Sequence, residues 1–216
     1  MPEPTKYQEP RWHATVALIA VGGLRVALPR ELAIGPDWLF LVVVGALSAF
    51  CLLASQFGMH KLATFFGYLA IAVVTADMTW SLGLLIAALP QHKESSEALL
   101  KSACELWVTN ILVFASWYWR LDAGGPYARS LRDEHTDGAF LFPQMALTQE
   151  MQVAMGEDQW SPGFIDYLFL AFNTSTAFSP TDSPVLSRWA KLLMMVQSLI
   201  SLATVALLAA RAVNIL

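Results

Sequence analysis

Residues 164–197 read FIDYLFLAFNTSTAFSPTDSPVLSRWAKLLMMVQ. The stretch opens as an aromatic-rich apolar segment, breaks at Asn173-Thr174-Ser175-Thr176 and, past Pro180 and Pro184, resumes as a long apolar run. The first segment is too short to cross a bilayer comfortably. A helix from Phe164 to Ser175 extends about 18 Å at about 1.5 Å per residue, against a hydrocarbon core of about 30 Å. Pro162 and Gly163 mark its start, and Asp166 in the first turn complements the positive end of the helix dipole. The two later prolines forbid one continuous helix through to Lys191. Irregular backbone at membrane depth survives only when buried in protein or lining water. A helix that dips in and turns back meets that condition, and so does a helix lying at the interface.

The rest of the chain is built for lipid. Of its 216 residues 56% are hydrophobic and only 14% charged, with a mean hydropathy of +0.51, whereas soluble domains carry about 25% charged residues. A net charge of −4 with no basic stripe argues against a nucleic-acid partner. Cys51 and Cys104 lie within or beside apolar segments and read as small hydrophobes rather than a disulfide or metal pair. The N-terminus, MPEPTKYQEPRWH, lacks the pattern of a cleaved secretory signal, so the first apolar run is expected to be retained.

Apolar runs at about 12–28, 38–57, 62–89, 98–121 and 188–216 give five candidate spans. The expected fold is an all-α integral membrane protein of five transmembrane helices plus one short re-entrant, pore-like helix before the last span. Residues 1–97 form a three-span N-terminal bundle. Residues 98–216 form a second region: outer span 98–121, extramembrane loop 122–162, half-helix and turn 163–183, and last span 188–216. Trp117, Tyr118 and Trp119 read as an interfacial aromatic belt, with Arg120 and Asp122 marking the water boundary. Lysine and arginine placement leaves the orientation open, because the loop that carries five of them is long.

The order of outer span, extramembrane segment, short helix, Thr-rich turn, acid and inner span resembles the pore module of tetrameric, potassium-channel-like cation channels. Against the filter pattern Thr-Val-Gly-Tyr-Gly-Asp this chain offers Thr176-Ala177-Phe178-Ser179-Pro180-Thr181-Asp182. Both filter glycines are absent. Because that filter stacks backbone carbonyls in a conformation that favours glycine, potassium selectivity does not carry over. AFNTSTAFSPTDSPVLSRWAKLL and the terminal AARAVNIL are in turn similar to a bacterial family of multi-pass inner-membrane proteins of unknown function. That resemblance implies architecture and a bacterial inner-membrane location.

Three groups of residues carry candidate chemistry. Asn173, Thr174, Ser175, Thr176, Ser179 and Asp182 form a candidate ion pathway or constriction, since a negative helix end with hydroxyls suits a hydrated cation. The same hydroxyls and amide can instead cap the helix by bonding its orphan carbonyls. Gln197, Ser201, Thr204 and Arg211 share one face of the last helix. That face either lines a wet, pore-facing pathway or supplies interhelical hydrogen bonds. Arg25, Asp77, Glu105 and Arg211 fall in the same half of the bilayer and suggest a buried charge network. Its role is either to join the spans or to relay protons or ions.

The four histidines have no metal-ligand spacing, and no phosphate loop, nucleophile elbow or paired catalytic carboxylates are found, so neither a metal, a cofactor nor an enzyme is expected. The reading is a weakly selective cation channel or channel-like protein in the lipid bilayer. It would act as a homo-oligomer, a tetramer by the resemblance, with monovalent cations as the permeant partners. The alternatives are a non-conducting membrane scaffold or assembly protein, and a small proton-coupled transporter built on Asp77.

Overall fold

A computed structural model describes residues 12–27, 36–88, 96–132, 137–157, 160–177 and 183–212. Eight helices follow in chain order: α1 (Trp12–Ala27), α2 (Asp37–Gln56), α3 (His60–Ala88), α4 (Ser96–Leu121), α5 (Pro126–Ser130), α6 (Gln149–Met155), α7 (Phe164–Ala177) and α8 (Arg188–Ala212). Among the described residues four stretches are long and apolar enough to cross a membrane: Trp38–Gln56, His60–Ala87, Glu97–Gly124 and Arg188–Ala210. The fold is therefore all-helical with four helices of spanning length. The first expected span, α1, has 16 residues, about 24 Å at the usual rise, and does not join them.

Local chemistry explains the helix ends. Gly58 takes a left-handed φ of 71° after α2, and the Met59 N–H bonds back to the Ala54 carbonyl at 2.8 Å, closing the turn into α3. After α4 the chain passes through Ala123, Gly124 and Gly125 at φ 49°, 81° and 90°. A Cβ on Gly125 would stand 2.8 Å from the Arg120 carbonyl oxygen, so this reversal requires glycine. Pro126 then opens α5. At the start of α7 the Asp166 carboxylate accepts the Gly163 N–H at 2.7 Å, satisfying one of the helix's first donors.

α4 is the centre of the bundle and packs against α1, α3, α7 and α8, while α2 pairs with α3 and α1. Ile71, Val74 and Met78 of α3 and Leu106, Phe114, Tyr118 and Trp119 of α4 are buried in one core. Outward-facing Trp38, Val42, Phe50, Phe65, Leu192, Met195 and Leu199 are exposed, as expected of side chains that meet lipid rather than water.

α7 and α8 both run antiparallel to α4. At the C-terminal end of α4, the Tyr167 hydroxyl bonds Asp122 and the Phe164 ring meets Trp119 at 5.9 Å. Further along, Phe172 meets Trp107 at 6.2 Å and Ser175 comes within reach of Asn110. α8 descends in the same sense, with Gln197 beside Tyr118 and Asn110 and Ser201 beside Trp107.

Candidate functional site

The short helix α7 is held at two levels. The upper level is a plug built around Phe140, which is 1% exposed. Its ring meets Tyr118 at 5.2 Å, Tyr167 at 6.1 Å and Trp189 at 6.1 Å, most of them edge-on, the geometry aromatic quadrupoles favour. Phe142 adds Tyr167 at 5.3 Å and Trp160 at 5.8 Å. Phe140 also forms an isolated antiparallel bridge with Val185: the Leu141 N–H donates to Pro184 at 3.0 Å and the Leu186 N–H to Ala139 at 2.7 Å. The segment just before α8 is thereby tied to residues 139–141.

Asp122 anchors this plug and is 1% exposed. One carboxylate oxygen accepts the Tyr167 hydroxyl at 2.7 Å and the other accepts the Ala139 N–H. Gly138 permits the approach, since a Cβ there would stand 3.0 Å from the carboxylate. Arg129, also buried, donates to the carbonyls of Trp119 at 2.8 Å and Asp122 at 2.9 Å and lies 5.1 Å from the Tyr167 ring. These contacts correct the reading of Asp122 as a marker of the water boundary. They also correct the aromatic belt: Tyr118 and Trp119 are buried against α7, α8 and the plug, and Trp117 is half-buried with its indole N–H on Thr75 at 2.9 Å.

The lower level is a buried polar cluster joining α4, α7 and α8. Gln197 donates to the Ala171 carbonyl at 2.8 Å and to the Ser175 hydroxyl at 2.9 Å, and its amide oxygen accepts the Tyr118 hydroxyl at 2.5 Å. Asn110 donates to the Gln197 carbonyl at 3.3 Å. Ser201 donates to the Ser175 carbonyl at 2.6 Å and accepts the Trp107 N–H at 3.1 Å. Away from water such bonds have no solvent competitor, although each adds only about 0.6 kcal/mol on average in membrane helices. The Asn110 amide oxygen is buried with no hydrogen-bond partner among the described residues.

The residues singled out from sequence separate into distinct roles. Gln197, Ser201 and Thr204 are fully buried and face α4 and α7. Arg211 belongs to α8, but its side chain lies outside the described residues. In the constriction set, Ser175 is buried in the cluster, and Thr174 donates back to Leu170 at 2.8 Å. Thr176 is exposed and donates to the carbonyls of Phe172 at 3.0 Å and Asn173 at 3.3 Å, while Asn173 is half-buried. Ser179 and Asp182 lie outside the described residues. Of the charge set, Arg25 and Asp77 form an ion pair at 2.8 Å between α1 and α3, with the Arg25 guanidinium 5.4 Å from the Phe40 ring. Glu105 is buried, and one of its carboxylate oxygens has no partner among the described residues. No group of three or more metal-ligating side chains occurs among the described residues.

Sequence reasoning missed Asn110, Tyr118, Asp122, Arg129 and Phe140. One signal was present: Phe140-Leu141-Phe142-Pro143 is an apolar run inside an otherwise polar loop, out of place unless it docks against something. Comparison of the chain with protein-family models, curated proteins and solved structures finds no match.

Proposed function

We propose that residues 164–183 form a re-entrant loop and that the protein is a channel-like membrane protein. It would pass cations with weak selectivity through a homo-oligomeric pore. One observation carries the reading. α7 starts at the C-terminal end of α4 and reaches the level of Asn110, yet Val185 and Leu186 are tied to Ala139 and Phe140, beside Asp122, back at that same end. A chain that goes in and comes out on one side needs a sheltered turn at depth. Four spanning helices, with α1 as a shorter fifth, would form the surrounding bundle. One half-helix per chain cannot enclose a pore, so conduction requires several copies, a tetramer by the channel resemblance.

In this reading the pathway falls to the exposed end of α7, where Asn173 and Thr176 sit at the negative end of the helix dipole. Gln197 and Ser201 bond α7, and Thr204 bonds carbonyls of its own helix, so the buried stripe serves packing instead of lining the pathway. A non-conducting scaffold is the second reading, and one observation favours it. The hydroxyls of Thr174 and Thr176 bond α7's own carbonyls, which is what helix-end capping requires without any ion.

Topology is tested with single cysteines at Ser161 and Ser187, in a chain from which Cys51 and Cys104 have been removed. An impermeant maleimide should reach both from the same side of sealed vesicles; labelling from opposite sides would refute re-entry. Function is tested by cation flux into liposomes and by mass in detergent. Flux altered by Thr176→Ala, from an oligomer, supports the channel; a monomer without flux supports the scaffold.

A further inference from the structure

At the same end of the bundle as the Asp122 plug, but on its opposite flank, α1, α2, α3 and the turn after α4 enclose a small cavity of about 50 Å³. A single water needs roughly 10–15 Å³ of such space, so the cavity has room for more than one. Among the described residues its lining includes Arg120, His60, Ser55, Thr64 and Tyr127, and no aspartate or glutamate.

Arg120 is the feature that calls for a ligand. Its side chain turns inward from the last turn of α4 and lies directly on α3. A Cβ at Gly67 would stand 2.1 to 2.5 Å from three guanidinium atoms, so glycine makes room for it. The guanidinium is 5.2 Å from the Trp119 ring, and one of its nitrogens is 3.7 Å from the Cys51 sulfur. Its Nε is buried with no hydrogen-bond partner, and among the described residues the ion pairs are Arg25–Asp77 and Arg132–Asp137, neither involving Arg120. The neighbouring carboxylate, Asp122, is committed to Tyr167 and Ala139 on the other flank. Beside Arg120, His60 is stacked on Tyr127 at 3.7 Å, and its Nδ1 is also buried without a partner.

A guanidinium has five donors and no acceptor, and that of half-buried Arg120 makes only a weak bond to the Cys51 sulfur while its buried Nε has no partner among the described residues. The groups that satisfy it are oxyanions, which it grips through two parallel bonds. We propose that this cavity binds a phosphate group, with Arg120 as the principal donor and His60 as the second. Its place at the end of the helices of spanning length fits the level of a lipid headgroup phosphate, and basic pockets between helices bind such groups. A free phosphate offers the same oxygens, and the test separates the two sources. The site involves neither α7 nor the turn after it, so it stands or falls independently of the channel reading.

The test uses the full chain, purified in detergent and stripped of lipid. Thermal unfolding and ³¹P line widths are followed during titration with dioctanoyl phosphatidate or with inorganic phosphate. Dioctanoylglycerol and sodium chloride at matched ionic strength serve as controls. Saturable stabilisation by a phosphate-bearing probe is expected, with about tenfold or greater weakening in Arg120→Gln, because bonds to charged groups are the strong ones. A response to phosphatidate alone assigns the lipid headgroup; a response to both assigns the free anion as well. Gly67→Ala, which keeps the arginine but displaces it, should weaken binding too and serves if Arg120→Gln does not fold. No response to either probe, or a response undiminished in the variants, overturns the site.

Discussion

The two halves of the bundle are held together by different physics. Around α1, α2 and α3 the packing is largely apolar, with the Arg25–Asp77 ion pair at 2.8 Å between α1 and α3 and a Cys51 thiol bond to the Ala63 carbonyl between α2 and α3. Around α4, α7 and α8 the helices share several neutral hydrogen bonds through Gln197, Asn110, Ser175 and Ser201, backed by the aromatic plug and Asp122. A charge pair in a low-dielectric interior is an all-or-nothing element, because removing one partner strands the other. A set of neutral bonds loses stability in small steps. The α7 half, which carries the irregular backbone, uses the graded kind.

The contrast can be broken most forcefully at Asp77. Asp77→Lys breaks the pair and places a second cation beside buried Arg25, so it should cost more than the ~3–5 kcal/mol of removing one partner alone, read as lost yield of folded protein and a lowered Tm in detergent. Asp77→Leu should be clearly milder, because it leaves no pair of like charges. Equal assembly of the two variants would show that the pair does not hold α1 to α3.

Asp122→Ala comes next. It deprives the Tyr167 hydroxyl and the Ala139 N–H of their acceptor, each at about 1–3 kcal/mol when buried. Limited proteolysis should then cut the segment around residues 137–142 faster, whereas Asp122→Asn, which keeps an acceptor, should protect it better. Cleavage unchanged in the alanine variant would mean that the plug is anchored elsewhere.

Gln197→Leu sharpens the graded side of the comparison. It removes three side-chain bonds from an apolar site of similar volume, for a loss of about 1–2 kcal/mol in reversible unfolding. A loss as large as that of Asp77→Lys would erase the distinction between the halves. Thr176→Ala should do least to stability, under about 0.5 kcal/mol, because the side chain is exposed. An appreciable change in flux beside so small a change in Tm would place Thr176 on a pathway rather than in the packing.

Much of the architecture was legible from particular residues. Pro162 and Gly163 before α7, and the glycine pair after α4, punctuate the chain where the structure turns. The Asp77 carboxylate announced a buried partner, and Arg25 is that partner. The run expected at 12–28 is helical over Trp12–Ala27. The stripe of Gln197, Ser201 and Thr204 fitted two destinations equally well, because helical spacing shows that residues share a face but not what that face meets. Asp122 misled for a related reason. A carboxylate after an aromatic run usually lies in water, and only the return of Ala139 and Tyr167 to the same point buries it.

By itself the sequence determined that the chain is helical, that several of its helices are long and apolar enough to cross a membrane, and that a shorter helix begins after Pro162 and Gly163. Those properties depend on hydropathy, length and proline or glycine placement, all of them local. The tertiary structure alone decided that Phe140 packs over the short helix, that Gln197 is spent on holding it, and that Arg120 lies beside a cavity lined by no carboxylate among the described residues. Each of these is a meeting of segments many residues apart, and no local pattern encodes which buried donor will find which acceptor.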